Sequence, residues 1–97
     1  MQSVLFSQAA RTELLAAQAW YEREAPRLGR RFRSEVDAVI ERLTNNPQHF
    51  PVVFKNVRRA RTRRFPYALF FVIQTDVLFV IACFHSSRNP TRWQRRT

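Results

Sequence analysis

The side chains best suited to chemistry lie late in the chain. His85 closes an apolar run and opens the stretch His85, Ser86, Ser87, Arg88, Asn89, Pro90, with Arg61, Arg63, Arg64 and Tyr67 upstream. An imidazole at a strand end, with arginines to hold a phosphate and a phenol to assist, can act as general acid in RNA cleavage. The plainer reading, which we favour from sequence, is that the imidazole bonds the backbone and holds the tail. Cys83 sits inside the apolar run, where a buried thiol is inert and its pKa rises. One cysteine and the distant His49 and His85 have no metal-ligand spacing, so no metal or cofactor is expected. His49 itself reads as a loop residue. Glu13, Glu22, Glu24, Glu35, Asp37 and Glu41 are interleaved with arginine on helix-forming stretches, as solvated helix faces are, and form no carboxylate dyad. Trp20 flanks a helical stripe and is expected to be packed. Trp93 stands among Arg92, Arg95 and Arg96, where an indole can stack on bases or anchor an interface.

Charge narrows the partners. Lys and Arg together number 17 against seven acidic residues, a formal net charge of +10. Residues 1–48 hold seven basic and six acidic side chains, whereas residues 49–97 hold ten basic ones and only Asp76. All but Lys55 of the basic residues are arginine, whose planar fork matches carboxylates and phosphates. Such a one-sided field attracts an acidic partner.

Two helices and a sheet must position these groups. Gln2 to Phe6 reads as a short strand, and Ser7 as the N-cap of a helix over Gln8–Glu24, with Ala10, Leu14, Ala17 and Tyr21 on one stripe. Pro26 forces a turn. A second helix follows, with Leu28, Phe32, Val36, Val39, Ile40 and Leu43 on one face, and Asn45, Asn46 and Pro47 stop it. The two form an αα-hairpin whose apolar face needs a cover. After a connector from Pro47 to Asn56, the arginine-dense stretch Val57 to Phe65 alternates like a polar edge strand. Tyr67–Gln74 and Val77–Phe84 then form a hairpin around Thr75 and Asp76. The expected fold is α+β: an N-terminal strand, an αα-hairpin, then a three-stranded antiparallel meander (βααβββ), with both helices on one face of the sheet.

The hairpin strands are apolar on both faces. Leu69, Phe71 and Ile73 alternate with Ala68, Phe70 and Val72, and Leu78, Val80 and Ala82 alternate with Val77, Phe79 and Ile81. One helical layer covers only one face, so a second cover is required: the tail with Trp93, or a partner protein, which we favour. Ninety-seven residues suit one domain, residues 1–97, with a basic tail from about residue 86 that is free to be mobile. The longest apolar run is under half of the roughly 20 residues that a membrane span needs, and no charged-then-apolar leader opens the chain. A soluble protein of a reducing cytoplasm is expected.

The order strand, two helices and three antiparallel strands, with an arginine-rich first strand of the three, resembles the RelE/ParE superfamily of bacterial type II toxins. The sequence is most similar to the ParE branch through Ala9 to Leu14, the connector from Asn46 and Pro47 to Pro51, the run Arg64, Phe65, Pro66, Tyr67, and the closing His85 to Arg88 with Pro90 and Trp93. The resemblance implies a cytoplasmic toxin encoded beside a ParD-like antitoxin, whose acidic and apolar C-terminal segment folds over it. It also implies DNA gyrase as the target, with nucleic acid met through that target or through the antitoxin complex. Residues expected to bind target or antitoxin are Arg59, Arg61, Arg63, Arg64, Phe70, Phe79, His85, Arg88 and Trp93. The RelE branch instead implies a ribosome-dependent mRNA endoribonuclease, for which Arg61, Arg63, His85 and Arg88 would be catalytic. Apolar positions from Ala68 to Val72 and a tail without tyrosine weigh against that, so a non-catalytic toxin is expected. A plain nucleic-acid-binding module explains the charge but not the doubly apolar hairpin.

Overall fold

A computed structural model of the chain describes residues 3–97. Strand β1 (Ser3–Phe6) leads into helix α1 (Gln8–Glu24) and helix α2 (Leu28–Asn45). Gln2, with which the expected first strand begins, lies outside the described residues. Ser7 caps α1 as anticipated, its hydroxyl accepting from the Ala10 N–H at 3.0 Å. The cap of α2 comes from α1. The Glu22 carboxylate accepts from the backbone N–H groups of Arg27 and Gly29, both at 3.0 Å, and Arg27 takes the left-handed conformation that the tight reversal requires. Ala10, Leu14 and Ala17 of α1 and Phe32, Val36, Val39 and Leu43 of α2 are buried on the stripes that their spacing defines.

The second half contributes four strands: β2 (Val52–Phe54), β3 (Val57–Arg61), β4 (Tyr67–Ile73) and β5 (Val77–His85). With β1 they form one sheet in the order β1-β5-β4-β3-β2, in which β1 runs parallel to β5 and the other pairs are antiparallel. The expected βααβββ meander is therefore extended by β2, which grows from the connector, and β3 is an interior strand rather than an edge. The connector is held in place by Arg58, whose guanidinium donates to the carbonyls of Phe50 at 2.7 Å and Gln48 at 3.2 Å. With its ends thus fixed, Val52–Phe54 lies along β3 and supplies the partner that an arginine-rich strand was expected to lack.

A bulge resets the faces of the hairpin. Phe70 pairs with Ala82 but Phe71 with Val80, so Ile81 is the extra residue. Ala82 consequently joins Ile81 on the outer face, and Cys83 turns toward the helices; simple alternation had placed Ala82 with Leu78 and Val80. One core, between helices and sheet, gathers Phe32, Leu43, Leu69, Phe71, Leu78 and Val80, while a second, on the outer face, gathers Val57, Phe70, Val72, Ile81 and Phe84.

The outer face is covered in part by the chain itself. Helix α3 (Thr91–Gln94), nucleated where Asn89 accepts from the Thr91 N–H and hydroxyl, lays Trp93 flat on Phe70, with ring centroids 4.2 Å apart. The open apolar surface that favoured a partner is thus sealed around Phe70 and Phe84, and the tail is docked. Arg96 fixes it. Its guanidinium makes a two-pronged pair with the Glu13 carboxylate, at 2.6 and 3.0 Å, and donates to the Ile81 carbonyl at 2.9 Å. Glu13 also accepts from the Cys83 N–H at 3.0 Å, so helix α1, the bulged strand and the tail meet at one carboxylate. Phe54 and Phe79 remain half-buried at the margin, and Val52 and Val53 are exposed.

Gly29 is the only glycine, and it lies where α2 leans on α1: a Cβ there would stand 2.6 Å from the Gln18 carbonyl oxygen. Gly29→Ala, although it raises helix propensity, lowers stability by about 1–3 kcal/mol, read from the urea midpoint. Arg96→Ala leaves one oxygen of the Glu13 carboxylate without its donor and the Ile81 carbonyl with only the longer 3.4 Å bond from the Ser7 hydroxyl, and lowers stability by about 2 kcal/mol in the same assay.

Candidate functional site

The arginines of the second half divide between two surfaces because of strand alternation. In β3, Arg59 pairs with Phe70 and Arg61 with Ala68, both on the outer face, whereas Arg58 pairs with Phe71 on the helix side. Beyond β3 the chain loops. The buried Thr62 hydroxyl shares its one proton between the carbonyls of Phe65 at 2.8 Å and Tyr67 at 3.1 Å, and Arg64 adopts a left-handed conformation. That loop carries Arg63 and Arg64 to α2, where both line a hollow together with Glu35 and Glu41.

Arg59 and Arg61 instead project into a groove of about 680 Å³ on the outer face, between the end of the sheet and α3. His85 and Arg88 line the same groove, and Phe70, Phe84 and Trp93 form its apolar side. Among the described residues its lining holds no carboxylate, so three guanidinium groups face a common space without an internal counter-charge. Arg88 lies over the Phe84 ring, 4.8 Å from its centroid, with its charge still exposed to solvent.

His85 sits where the sheet ends, as its position in the sequence suggested. Its Nδ1 is engaged by the Ser87 N–H at 3.0 Å and lies 2.8 Å from the Ser87 hydroxyl, which leaves Nε2 as the nitrogen for an external group. Tyr67, opposite His85 in the β4–β5 ladder, meets the imidazole edge to face at 5.2 Å. Burial pushes the Tyr67 phenol above its ordinary range, reinforced by Tyr21 and opposed by the Arg88 charge. It is a neutral hydrogen-bonding group at physiological pH.

Of the nine residues expected to bind target or antitoxin, Arg59, Arg61, His85, Arg88, Phe70 and Trp93 converge on this groove. Arg63 and Arg64 do not, and Phe79 lies on the same face but outside it. The two tryptophans exchange the roles read from sequence. Trp93 is only 3% exposed and acts as a wall, whereas Trp20 is 49% exposed. Thr62 and Phe84 were not singled out from the sequence. The period of β5 puts Phe84 with Leu78 and Val80, and only the bulge at Ile81 turns it to the outer face; nothing local marks Thr62. Among the described residues no cluster of His, Cys, Asp and Glu could hold a metal ion, and no helix is long and apolar enough to cross a membrane.

Similarity to known proteins agrees with this arrangement. A chain of a solved structure, the chromosomal ParDE TA system from P. aeruginosa, superposes with a TM-score of 0.77 at 16% identity, covering 88% of this chain and 96% of that one. At that identity the likeness is one of fold. The sequence matches the family described as ParE toxin of type II toxin-antitoxin system, parDE, over residues 4–90, and the chain belongs to that family. No curated protein matches it significantly.

Cys83 contributes no chemistry to the groove. Desolvation, with the Glu13 charge adding to it, raises its pKa to about 12, so the thiol stays protonated far above neutrality. Iodoacetamide at about pH 8 leaves the folded chain unmodified and labels it once urea exposes the sulfur, as intact mass measures.

Proposed function

We propose that this chain is the toxin of a type II toxin–antitoxin pair, that it acts in the cytoplasm by binding and inhibiting DNA gyrase, and that a ParD-like antitoxin neutralises it. The observation that carries the reading is the groove: Arg59, Arg61 and Arg88 uncompensated beside Phe70, Phe84 and Trp93. A partner that is both acidic and apolar fits such a lining, since its carboxylates meet guanidinium forks while its hydrophobic side chains meet rings. Family membership supplies the toxin class. The same charged lining suits a target that carries DNA, which is how an antitoxin could block action by occupying the surface that the target needs.

The endoribonuclease reading has one observation on its side, because Arg61, His85 and Arg88 share the groove and Tyr67 adjoins them. Arg63, its fourth candidate, is on the α2 side and cannot join them without rearrangement of the Thr62 loop. Phosphate chemistry depends on such groups being held within ångströms of one another, and among the described residues no side-chain hydrogen bond ties Arg61, His85 and Arg88 together.

The purified chain, mixed with gyrase and relaxed plasmid, abolishes supercoiling or traps cleaved DNA. In a translating extract it leaves a defined message intact. Arg59→Glu with Arg61→Glu weakens gyrase inhibition about tenfold or more, with the circular dichroism unchanged. Codon-dependent cuts in the message that disappear in His85→Ala would instead establish the nuclease.

A further inference from the structure

Trp20 has no part in either core. It stands near the end of α1, half in solvent, and is braced edge-on against Tyr21 with centroids 5.1 Å apart. Tyr21 is in turn fixed against Phe32 and Phe65, at 5.2 and 4.9 Å. The indole is therefore held by a rigid aromatic column while much of its surface stays available. Trp20, Tyr21, Tyr67, His85 and Arg88 surround a hollow of about 410 Å³.

This hollow adjoins the basic groove. Tyr67, His85 and Arg88 line both, so the two cavities have these residues as a common wall at the end of the sheet. On one side project Arg59 and Arg61, two residues apart on one strand face and so spaced by about 7 Å. On the other stands an exposed aromatic ring. Neither Arg59, Arg61 nor Arg88 has a carboxylate partner among the described residues. A row of free cations leading to an available aromatic ring has the chemistry that holds a single-stranded polynucleotide, whose phosphates follow the charges while an unstacked base lies on the ring.

We propose that Trp20, with Tyr67, His85 and Arg88, forms a base-stacking corner that extends the groove and binds a single-stranded polynucleotide. Phosphates lie along Arg59, Arg61 and Arg88, and the neighbouring base leaves its stack to lie against Trp20. The His85 Nε2 and the Tyr67 hydroxyl are placed to bond the base or sugar. A duplex offers its phosphates but keeps its base faces covered, so it can use the arginines and not the indole. An acidic peptide would likewise match the arginines but has no planar aromatic repeat to lay on the ring. This goes beyond the gyrase reading and does not need it, since the binding assay contains no gyrase and either can fail alone.

The test is fluorescence anisotropy of the full chain with labelled oligothymidylate and oligouridylate of about twelve nucleotides, and with a duplex of equal length, over a range of salt. Single strands bind more tightly than the duplex. Trp20→Ala weakens single-strand binding about tenfold and leaves duplex binding unchanged, whereas Trp20→Phe retains most of it. Arg88→Ala lowers the salt slope by about one. In the unaltered chain, saturation quenches the emission of the exposed indole, a readout that needs no variant. Equal binding of DNA and RNA means that base faces and phosphates are read, and an RNA preference means that the 2′-hydroxyl adds to them; either supports the corner. Unchanged single-strand affinity in Trp20→Ala, unquenched emission at saturation, or tighter binding of the duplex would overturn it.

Discussion

The carboxylate of Glu13 is the junction on which the outer half of the structure depends. At the bulge of β5 the backbone turns an N–H on Cys83 and a carbonyl on Ile81 away from β4, past the end of β1 at Phe6, where the Ser7 hydroxyl reaches the carbonyl at 3.4 Å. Backbone groups in so apolar a setting are costly to leave unpaired. Glu13 accepts from the first, and Arg96, held by Glu13, donates to the second. A charged pair with little exposure is a poor source of net stability, yet here it fixes geometry: it binds helix, strand and tail in one arrangement. Through Arg96 it keeps α3 against the sheet, and through α3 it makes Trp93 a wall of the basic groove.

The groove follows from that constraint. Had the tail been free, the outer face would have been a broad apolar surface; with Trp93 stacked on Phe70 it narrows to a channel with rings on one side and guanidinium groups on the other. Strand alternation then selects which arginines face it. Arg59 and Arg61 do so because they are odd-numbered neighbours on β3, and Arg58 is committed to holding the connector. The Thr62 loop removes Arg63 and Arg64 to the other side. One arginine-rich segment therefore serves an open binding surface, a structural anchor and a separate patch beside α2.

Much of this was legible in the chain, and the parts that were not share a cause. Both helices, the cap at Ser7, the stop after Asn45 and the β4–β5 hairpin follow from periodicity and local turn chemistry, which act over a few residues. His85 was legible as a strand-end residue. Strand β2 was not, because three residues between Pro51 and Lys55 show no alternation, and their pairing depends on Arg58 holding the connector. The bulge at Ile81 was not, because inserting one residue changes faces without changing composition. The reversal of Trp20 and Trp93 has the same origin: whether an indole is covered depends on where a distant segment lands, here α3 on β4 and nothing on the late turns of α1. An arginine-flanked tail looked free, whereas its last arginine, Arg96, was the group that tied it down.

The pairing of β1 with β5 joins segments more than seventy positions apart, as the Ser7–Ile81 contact shows. Closing so large a loop costs entropy before it returns any contact, so this edge assembles late and slowly. Until it does, β5, the longest of the described strands and apolar up to His85, presents an unprotected margin, and a freshly made chain is at its stickiest then. Any peptide able to lie along that margin would act as a folding aid before it acted as anything else.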